Sequence, residues 1–519
     1  MPYQNRRSKY SNFILLFVFI KIGLNLLAIS HFGFHRDELL HLALADHLGW
    51  GYKEVPPFIA LLAKVQTWLF GTSVFAARIS TTICAGAIVW LVGLITVELG
   101  GKMFAITLAC LSFIFAPAFL ASDYLFQPVV FDQLWWTLSV WLLARYVNYH
   151  SPKYLYTLGI VIGIGLLTKY TMGFFTVALL LGLVITRQRK ILWNRHVLFA
   201  ALLALLIFLP NVIWQFQHHL PVITHMKTLR KYQLDANKPA DFIKEELLVN
   251  GAALFVWLVG FGFLLFSFKL RKFQFMGFAF ILIFLFLLEM NGKAYYLFGA
   301  FPMLFAAGGF GFERWIKLKY TGLRAFAVIL FTVPNLIFFP TALPVFPLNT
   351  TLALIKYTGQ HMPASKFAVT WEDHKTHPLT QDYADMLGWE EMVAKAAKAY
   401  HDLSPAEQAH TIIFMDNYGE GGAFAHFGKQ YGLPDSVCVC LNSSFALWAP
   451  KSIGIKNLIY VSDDADVSDL SPIADTTQLM GKVTDTLARE HGTAIFLIKN
   501  LQPKISALYQ ASLKQKLSE

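Results

Sequence analysis

The amino-acid sequence predicts a polytopic α-helical membrane protein with a C-terminal α/β domain that lies outside the cytoplasm. Three observations predict this class: 56% of the 519 residues are hydrophobic, only 14% are charged, and long apolar runs recur over the first two thirds of the chain. Soluble globular chains carry about 25% charged residues. The deficit in charge indicates that much of this chain never meets water.

Apolar runs predict about eleven membrane spans, because a helix of about 20 residues crosses the hydrocarbon core of a bilayer. The first run follows a short basic N-terminus without a convincing cleavage site, so we interpret it as an uncleaved membrane helix. The predicted spans are 11–31, 79–98, 103–121, 129–147, 155–169, 171–186, 196–214, 247–268, 274–290, 296–312 and 322–341.

Lysines and arginines concentrate in every second gap between these spans. The basic gaps are NRRSK, GGK, RYVNYHSPKY, RQRKILWNRH, KLRK and ERWIKLKYTGLR. The positive-inside rule makes their side cytoplasmic. We therefore expect a multi-pass protein of the cell inner (plasma) membrane, with a cytoplasmic N-terminus and a periplasmic or extracytoplasmic C-terminal domain. The net charge of +11 follows from these gaps and does not indicate a nucleic-acid partner.

The last third of the chain differs in kind. Short apolar runs (TIIFMDN, NLIYVSDD, AIFLIKN) alternate there with helical segments such as YADMLGWEEMVAKAAKAY. This alternation predicts a soluble α/β domain over residues 342–519, after a transmembrane domain over residues 1–341. Cys438 and Cys440 are separated by one residue, which strains a disulfide, so free thiols are expected.

The predicted outer loop 32–78 carries many of the polar side chains. Its helical periodicity is interrupted by GWGYKEVPP, which predicts two amphipathic helices in the outer interface joined by a turn. Asp37 and Glu38 stand at its start. Carboxylates at a membrane surface serve as general bases or hold a cation beside a phosphate, whereas capping of a helix is the alternative interpretation.

Asp132 is the second acidic candidate. It lies in QPVVFDQLWWTLSVW at the outer edge of a predicted span. Ionisable residues at such a depth cost free energy and are functional hypotheses by default. A charge at a helix N-terminus is the alternative.

Two lysines stand at predicted outer ends of spans. Lys169 lies between two spans, and Lys293 is followed by Tyr295 and Tyr296. Such lysines serve as anchors that extend to the interface, or they capture a phosphate together with the tyrosine hydroxyls. Lys21 interrupts the first span. It either pairs with a neighbouring helix or has a functional role.

Histidines of the predicted outer loop 215–246 are candidates for a metal site. They are His218, His219 and His225. The sequence contains no Gly-rich phosphate loop, HExxH or GxSxG motif. We therefore expect no nucleotide cofactor.

The order of several motifs resembles that in the GT-C glycosyltransferases of the family 39/83 type, and in particular in their bacterial members. This type includes the protein O-mannosyltransferases and the lipid A aminoarabinose transferase. The likeness covers nearly the whole membrane region. Its motifs are the DE pair after the first span, GYKEVPP, LFG…AARIS, ELGGK (98–102), FDQLWWTL (131–138), GLLTKYTMGFF (165–175), GKAYYLFGAFPMLFAAGG (292–309) and DNYGEGGAFAHFGKQYGLP (416–434).

The resemblance implies that residues 1–341 form a GT-C-like catalytic domain. It also implies transfer of a sugar from a polyprenyl-phosphate donor to an extracytoplasmic acceptor, with inversion at the anomeric carbon. The implied partners are that donor, an acceptor that is lipid A, a cell-envelope glycan or a protein, and membrane lipids, with no nucleic acid. A lipid-linked-sugar transporter or flippase and a non-catalytic membrane assembly protein are the alternatives from other classes.

The resemblance also implies roles for individual residues. Asp37 corresponds to the catalytic base with Glu38 beside it, and Asp132 corresponds to a second acid near the acceptor. The residues implied to meet the carrier phosphate are Lys293 and Tyr296, with Tyr295, Lys169 and Lys53 as further candidates.

Glu54 corresponds to an acid implicated in metal binding, so a divalent cation is a candidate cofactor, with His219 as a second ligand. Val55 stands where the aminoarabinose transferases have a lysine, which leaves the transferred sugar open.

Overall fold

The computed structural model describes residues 4–232, 234–468 and 470–518, most of which form helices. Within these ranges the α-helices in chain order are α1 (Gln4–Ala28), α2 (Arg36–Leu44), α3 (Phe58–Phe70), α4 (Val74–Glu98), α5 (Met103–Phe115), α6 (Pro117–Ser122), α7 (Pro128–Tyr149), α8 (Lys153–Thr168), α9 (Thr171–Ile185), α10 (Arg195–Gln217), α11 (Pro221–Tyr232), α12 (Pro239–Leu248), α13 (Leu254–Phe266), α14 (Gln274–Glu289), α15 (Phe301–Trp315), α16 (Thr321–Thr332), α17 (Phe339–Ala342), α18 (Leu348–His361), α19 (Gln381–Ala384), α20 (Trp389–His401), α21 (Pro405–Gln408), α22 (Tyr418–Phe427) and α23 (Lys504–Ser518).

Short 3-10 helices connect or extend many of these helices. They cover Arg187–Trp193, Leu234–Ala236, Gly251–Ala253, Phe268–Phe273, Ala294–Ala300, Val333–Phe338, Pro363–Val369, Gly428–Tyr431, Asp435–Val437, Ser443–Leu447 and Ser471–Ile473. The five strands in the described ranges are β1 (Thr411–Met415), β2 (Cys438–Cys440), β3 (Asn457–Ser462), β4 (Thr476–Lys482) and β5 (Ala494–Lys499).

The described residues contain six helical segments that are long and apolar enough to cross a membrane, or up to eight if each of two bent helix pairs counts as one span. The six are Tyr10–Ala28, Val74–Glu98, Arg195–Gln217, Phe268–Glu289, Ala294–Trp315 and Thr321–Ala342. Every one of the eleven predicted segments contains helix, but some of these helices are shorter or interrupted. The polytopic helical class with a C-terminal sheet is confirmed.

Local backbone chemistry explains two of the interruptions. The predicted span 103–121 breaks at Ala116, whose backbone is extended because a proline follows it. The predicted span 247–268 breaks near Gly251, where φ is +53° and the flanking helices meet at 98°. A hydropathy profile joins two such helices into one predicted span, because it records how apolar the residues are and not the direction of the helix axis.

The chain divides into two compact units. The first comprises Met1–Ser30, Arg78–Trp214 and Met226–Pro347, and the second comprises His31–Ala77, Gln215–His225 and Leu348–Glu519. The second unit therefore joins the C-terminal segment to two of the loops that the sequence predicts on the outer side.

The first unit is held by close helix packing and by a buried ion pair. A Cβ atom built on Gly260 of α13 lies 1.9 Å from the Leu304 carbonyl oxygen of α15, and one built on Gly308 lies 2.0 Å from the Val256 oxygen. Glycine at these positions lets the two backbones touch. The Nζ of Lys21 lies 2.9 Å from Oδ2 of Asp123, and both side chains are fully buried. Of the two alternatives left open for Lys21, the structure therefore shows pairing, with an aspartate at the C-terminal end of α6.

The second unit contains the two helices predicted for loop 32–78, α2 and α3. The GWGYKEVPP segment joins them as predicted, and the hydroxyl of its Tyr52 donates to the His47 carbonyl oxygen at 3.0 Å. Apolar side chains of α3 are exposed, namely Leu61, Val65, Trp68, Leu69 and Phe70. An exposed apolar face on a short helix is typical of a helix lying in a membrane interface.

A five-stranded mixed sheet of order β2-β1-β3-β5-β4 forms the core of the C-terminal segment. β1 runs parallel to β2 and β3, whereas β5 runs antiparallel to β3 and β4. The three apolar runs read from the sequence became β1, β3 and β5, whose side chains are largely buried. The predicted α/β character of this segment is therefore confirmed. Cys438 and Cys440 lie in β2 as free thiols, as predicted.

Candidate active site

The first turn of α2 positions Asp37. His35 caps the helix: its Nδ1 accepts the Asp37 N–H at 3.1 Å, and its own N–H donates to Oε2 of Glu38 at 2.9 Å. This reciprocal arrangement satisfies donors at the helix start. Glu38 is fully buried, so the structure shows it in the capping role that the sequence left open. Asp37 is half-buried.

Tyr418, the first residue of α22, holds the Asp37 carboxylate. Its hydroxyl donates to Oδ1 of Asp37 at 2.9 Å. The two helices approach closely because α22 carries Gly422, where a Cβ atom would lie 2.8 Å from Leu39 of α2. The DNYGEGG motif therefore supplies both the donor and the glycine that permits the contact.

The surroundings of Asp37 favour its ionised form. Burial raises its pKa, but His35, His41 and Arg36 and the hydrogen bond from Tyr418 together outweigh burial, so the net shift of the Asp37 pKa is downward. Burial and the Asp37 charge raise the pKa of Tyr418 well above its ordinary value. The two shifts favour a charged acceptor in Asp37 and a neutral donor in Tyr418.

Arg36 ties the start of α2 to the C-terminal segment. Its guanidinium carbon lies 4.7 Å from the centroid of the Tyr418 ring, and the backbone N–H of Arg36 donates to the Asp385 carbonyl oxygen at 3.2 Å. Arg489 reaches the carboxylate of the same aspartate, Nη1 to Oδ2, at 3.2 Å. Tyr418 and Asp385 were not predicted from the sequence, although Tyr418 lies in the DNYGEGG motif.

The Lys53–Glu54 turn is bound by Ser444. The Ser444 hydroxyl donates to Oε2 of Glu54 at 2.6 Å, and its N–H donates to Oε1 at 3.3 Å. The Lys53 ammonium donates to the Lys516 carbonyl oxygen near the C-terminus. This turn is therefore anchored within the second unit by side chains that sequence spacing does not reveal.

The histidine beside Glu54 is His225. Burial lowers the pKa of His225, Glu54 raises it and Lys53 lowers it further, with a net downward shift. His219 is exposed and has a left-handed backbone with φ of +63°. In the described ranges no group of three potential ligands surrounds Glu54. Because Ser444 already donates to both oxygens of Glu54, the residues as arranged do not fit a metal centre.

A second group, here the lysine–tyrosine group, lies in the first unit and consists of Lys169, Lys293, Tyr295 and Tyr296. Lys169 has an extended backbone between α8 and α9, at the division that the sequence predicted. Its Nζ lies 4.7 Å from the Tyr295 ring centroid and 4.8 Å from that of Tyr296. Lys293 is near enough to Lys169 for mutual repulsion. Two ammonium groups near two phenols have the chemistry to attract an anion.

Asp132 belongs to the first turns of α7 and is buried. Its Oδ2 accepts the Thr171 hydroxyl at 2.6 Å. Lys169 attracts it electrostatically, so the structure brings Asp132 together with the lysine–tyrosine group. Asp37, Glu38, Lys53, Glu54 and His219 belong to the other unit.

A family model described as dolichyl-phosphate-mannose-protein mannosyltransferase matches residues 54–214. Comparison with curated protein sequences gives no match. The matched range contains FDQLWWTL and GLLTKYTMGFF, which carried part of the resemblance noted above.

Among solved structures, the chain is similar to ArnT from Cupriavidus metallidurans bound to undecaprenyl phosphate, with a TM-score of 0.59 and 13% identity over 95% of this chain and 99% of that one. The apo state of the same protein gives a TM-score of 0.57 and 14% identity over 94% and 98%. The chain thus has the GT-C fold and is a multi-pass membrane protein. The fold that the resemblance implied is confirmed.

Proposed function

We propose that this chain is an integral-membrane glycosyltransferase that moves a sugar from a polyprenyl-phosphate donor to an extracytoplasmic acceptor with inversion. One observation carries the proposal: an ionised Asp37 is held in a fixed orientation by Tyr418 in a chain with the GT-C fold. A carboxylate fixed in this way is suited to take a proton from an acceptor hydroxyl.

Chemistry and comparison both support a polyprenyl-phosphate donor. The similar ArnT structure is bound to undecaprenyl phosphate, and the matching family model is named for dolichyl-phosphate mannose. In the first unit, Lys169 and Lys293 supply the positive charge that a departing phosphate needs, and Tyr295 and Tyr296 supply hydroxyl donors. Such a donor carries its own leaving group, so the reaction needs no nucleotide.

The proposed reaction is a single displacement. The acceptor oxygen forms a bond to the anomeric carbon as the bond from that carbon to the carrier phosphate oxygen breaks. Asp37 takes the acceptor proton, and the electron pair of the broken bond leaves with the phosphate. Attack opposite the leaving group inverts the anomeric centre.

Transfer by purified protein tests the proposal. Wild-type chain and its Asp37→Asn variant are incubated with polyprenyl-phosphate sugars and with envelope lipid, glycan or protein acceptors, and products are identified by mass spectrometry. We expect Asp37→Asn to lower the transfer rate by about 10²–10⁴-fold, the range for loss of a general base. Asp46→Asn is the matched control, because Asp46 is 77% exposed and pairs with Lys64. Wild-type rates in Asp37→Asn would remove Asp37 from the mechanism.

The lysine–tyrosine group makes a separate prediction. Lys293→Ala is expected to weaken the interaction with the donor phosphate, so KM for the donor rises while KM for the acceptor stays near the wild-type value. Steady-state kinetics with each substrate varied in turn measures the split. Equal changes in both KM values would contradict an assignment to the carrier phosphate.

A further inference from the structure

The segment that leads into α2 lies against the segment around α19, within the second unit. The Phe32 ring stacks on the Tyr383 ring with centroids 4.9 Å apart. A Cβ atom built on Gly33 would lie 2.6 Å from the Met386 carbonyl oxygen, so the two backbones touch there. The residues that come just before Asp37 are therefore positioned from outside their own helix.

Asp385 lies at the centre of this contact and is buried. Its carbonyl oxygen accepts the backbone N–H of Arg36 at 3.2 Å and the indole N–H of Trp389 at 2.7 Å. Its Oδ2 lies 3.2 Å from Nη1 of Arg489. Both the backbone and the carboxylate of Asp385 are thus held in place.

The imidazole of His35 connects this carboxylate to Asp37. Its Nδ1 accepts the backbone N–H of Asp37 at 3.1 Å. Because a backbone N–H can only donate, Nδ1 carries no proton, and the proton of the neutral ring is on Nε2. Nε2 lies 3.7 Å from Oδ2 of Asp385 and 3.9 Å from Oδ1 of Asp382. The two carboxylates attract the Nε2 proton and so favour the tautomer that the cap requires.

Burial makes Asp385 the more effective of the two acids. Its side chain is 3% exposed, whereas that of Asp382 is 55% exposed. The attraction between charges is stronger where water is excluded. The tautomer of His35 therefore depends mainly on Asp385.

We propose that Asp385 is a positioning residue for Asp37 and that it acts through His35. The Asp385 carboxylate holds His35 as the Nε2–H tautomer. His35 in turn fixes the first turn of α2, and that turn sets the direction of the Asp37 carboxylate. The inference gives the C-terminal segment a part in the reaction, and it rests on the proposed function because it takes Asp37 as the base.

A double-mutant cycle of Asp385→Asn and His35→Asn tests the proposal by the transfer rate. Asparagine at position 35 offers an oxygen that accepts the Asp37 N–H and has no tautomer to select, so His35→Asn alone should keep most of the wild-type rate. Asp385→Asn presents an amide to Nε2 and no longer favours one tautomer. We expect it to lower the rate by about 10–100-fold, since a misplacement of about 1 Å costs up to about 100-fold.

The cycle separates positioning from a merely structural role. In the His35→Asn background, Asp385→Asn should have little further effect, because the group through which it acts is gone. Loss of the Arg489 pair alone would instead lower the rate equally in both backgrounds, and that result overturns the proposal. Glu372→Gln is the matched control, because Glu372 accepts from Nη2 of the same arginine at 3.2 Å. It should transfer at the wild-type rate.

Nitrogen NMR of the full-length protein with isotopically labelled histidines measures the tautomer without any transfer reaction. The signals of His35 are those that disappear in His35→Asn. We expect a bare Nδ1 and a protonated Nε2 in the wild type and in Glu372→Gln, and a mixture of tautomers in Asp385→Asn. A protonated Nδ1 in the wild type, or an unchanged tautomer in Asp385→Asn, overturns the proposal. If the wild type transferred no sugar, the proposed function would fail, and this measurement would still decide whether Asp385 controls His35.

Discussion

Asp37 carries its negative charge because neighbouring groups outweigh burial, and Tyr418 is one of those groups. Tyr418→Phe removes one donor to the carboxylate, so the pKa of Asp37 is expected to rise and its orientation to loosen. A hydrogen bond to a charged group contributes about 1.5–3 kcal/mol. We therefore predict at least a roughly tenfold lower transfer rate at neutral pH, with the acid limb of the pH–rate profile moved to higher pH.

Tyr431→Phe serves as the control for this pH profile, because the Tyr431 hydroxyl donates to Glu390 at 2.9 Å on the surface. An acid limb that stays in place in Tyr418→Phe would show that Asp37 does not set it. The lowered pKa of Asp37 also makes the stability of the fold depend on pH. The stabilisation by ionised Asp37 is present at pH values above its ordinary pKa of 3.8 and is lost as pH falls through the pKa of folded Asp37.

The Lys21–Asp123 pair makes a prediction about the free energy of unfolding. The Nζ of Lys21 also donates to the Phe119 carbonyl oxygen at 2.7 Å, and the Asp123 carboxylate accepts from Ser122 at 3.1 Å. Lys21→Met leaves a fully buried, unpaired acid, so we expect it to destabilise the fold by about 3–5 kcal/mol. Lys21→Met/Asp123→Leu should recover most of this loss. Detergent-induced unfolding measures both, and equal losses in both variants would contradict the pairing.

The candidate residues could be picked out from the sequence, but the residues that they contact could not. The DE pair stood out because two acids follow an apolar run, and Lys21 stood out because it interrupts one. Tyr418 is 381 positions from Asp37 in sequence, and no local pattern connects them. Similarly, the sequence paired His219 with Glu54, whereas the fold brings His225 to that glutamate.

At the scale of elements, the contact between α13 and α15 depends on residues without side chains. Gly260→Ala places a methyl group 1.9 Å from a backbone oxygen of Leu304, which neither helix accommodates without separation. Overpacking of a core costs about 1–3 kcal/mol, and a backbone clash lies at the upper end. We predict a corresponding loss in the free energy of unfolding, measured by detergent titration.

Gly262→Ala on the same helix is the matched control. A Cβ atom at Gly262 meets nothing within 4 Å, and alanine favours helix more than glycine. This variant should match or exceed wild-type stability. If the two substitutions were equally tolerated, α13 and α15 would not be in backbone contact.

Elements with strong periodic signals were predicted well. The apolar runs that became β1, β3 and β5 were recognised from composition, because buried strands of a mixed sheet are continuously hydrophobic. The 98° bend near Gly251 was not predicted. The bend is a change in the direction of the chain, whereas a hydropathy profile reports only how apolar each segment is.

At the scale of the whole molecule, the fold is established by structure, whereas the orientation across the membrane rests on charge. The predicted cytoplasmic gaps carry the basic runs, and the positive-inside rule orients the chain by them. The proposed function requires the opposite side for α2 and the C-terminal segment, because the acceptor is extracytoplasmic.

A reporter active only outside the cytoplasm, fused after residue 519, is therefore expected to be active, whereas the same reporter fused after Lys102 in the GGK gap is expected to be silent. A cytoplasm-dependent fluorescent reporter at the two positions should give the reciprocal result and thereby controls for expression. A second pair of fusions, after His150 and within GWGYKEVPP, tests the same assignment over the first half of the chain. An inactive first reporter and a fluorescent second reporter at residue 519 would place α22 and Asp37 on the cytoplasmic side. The proposed acceptors are absent there, so the transferase proposal in its present form would fail.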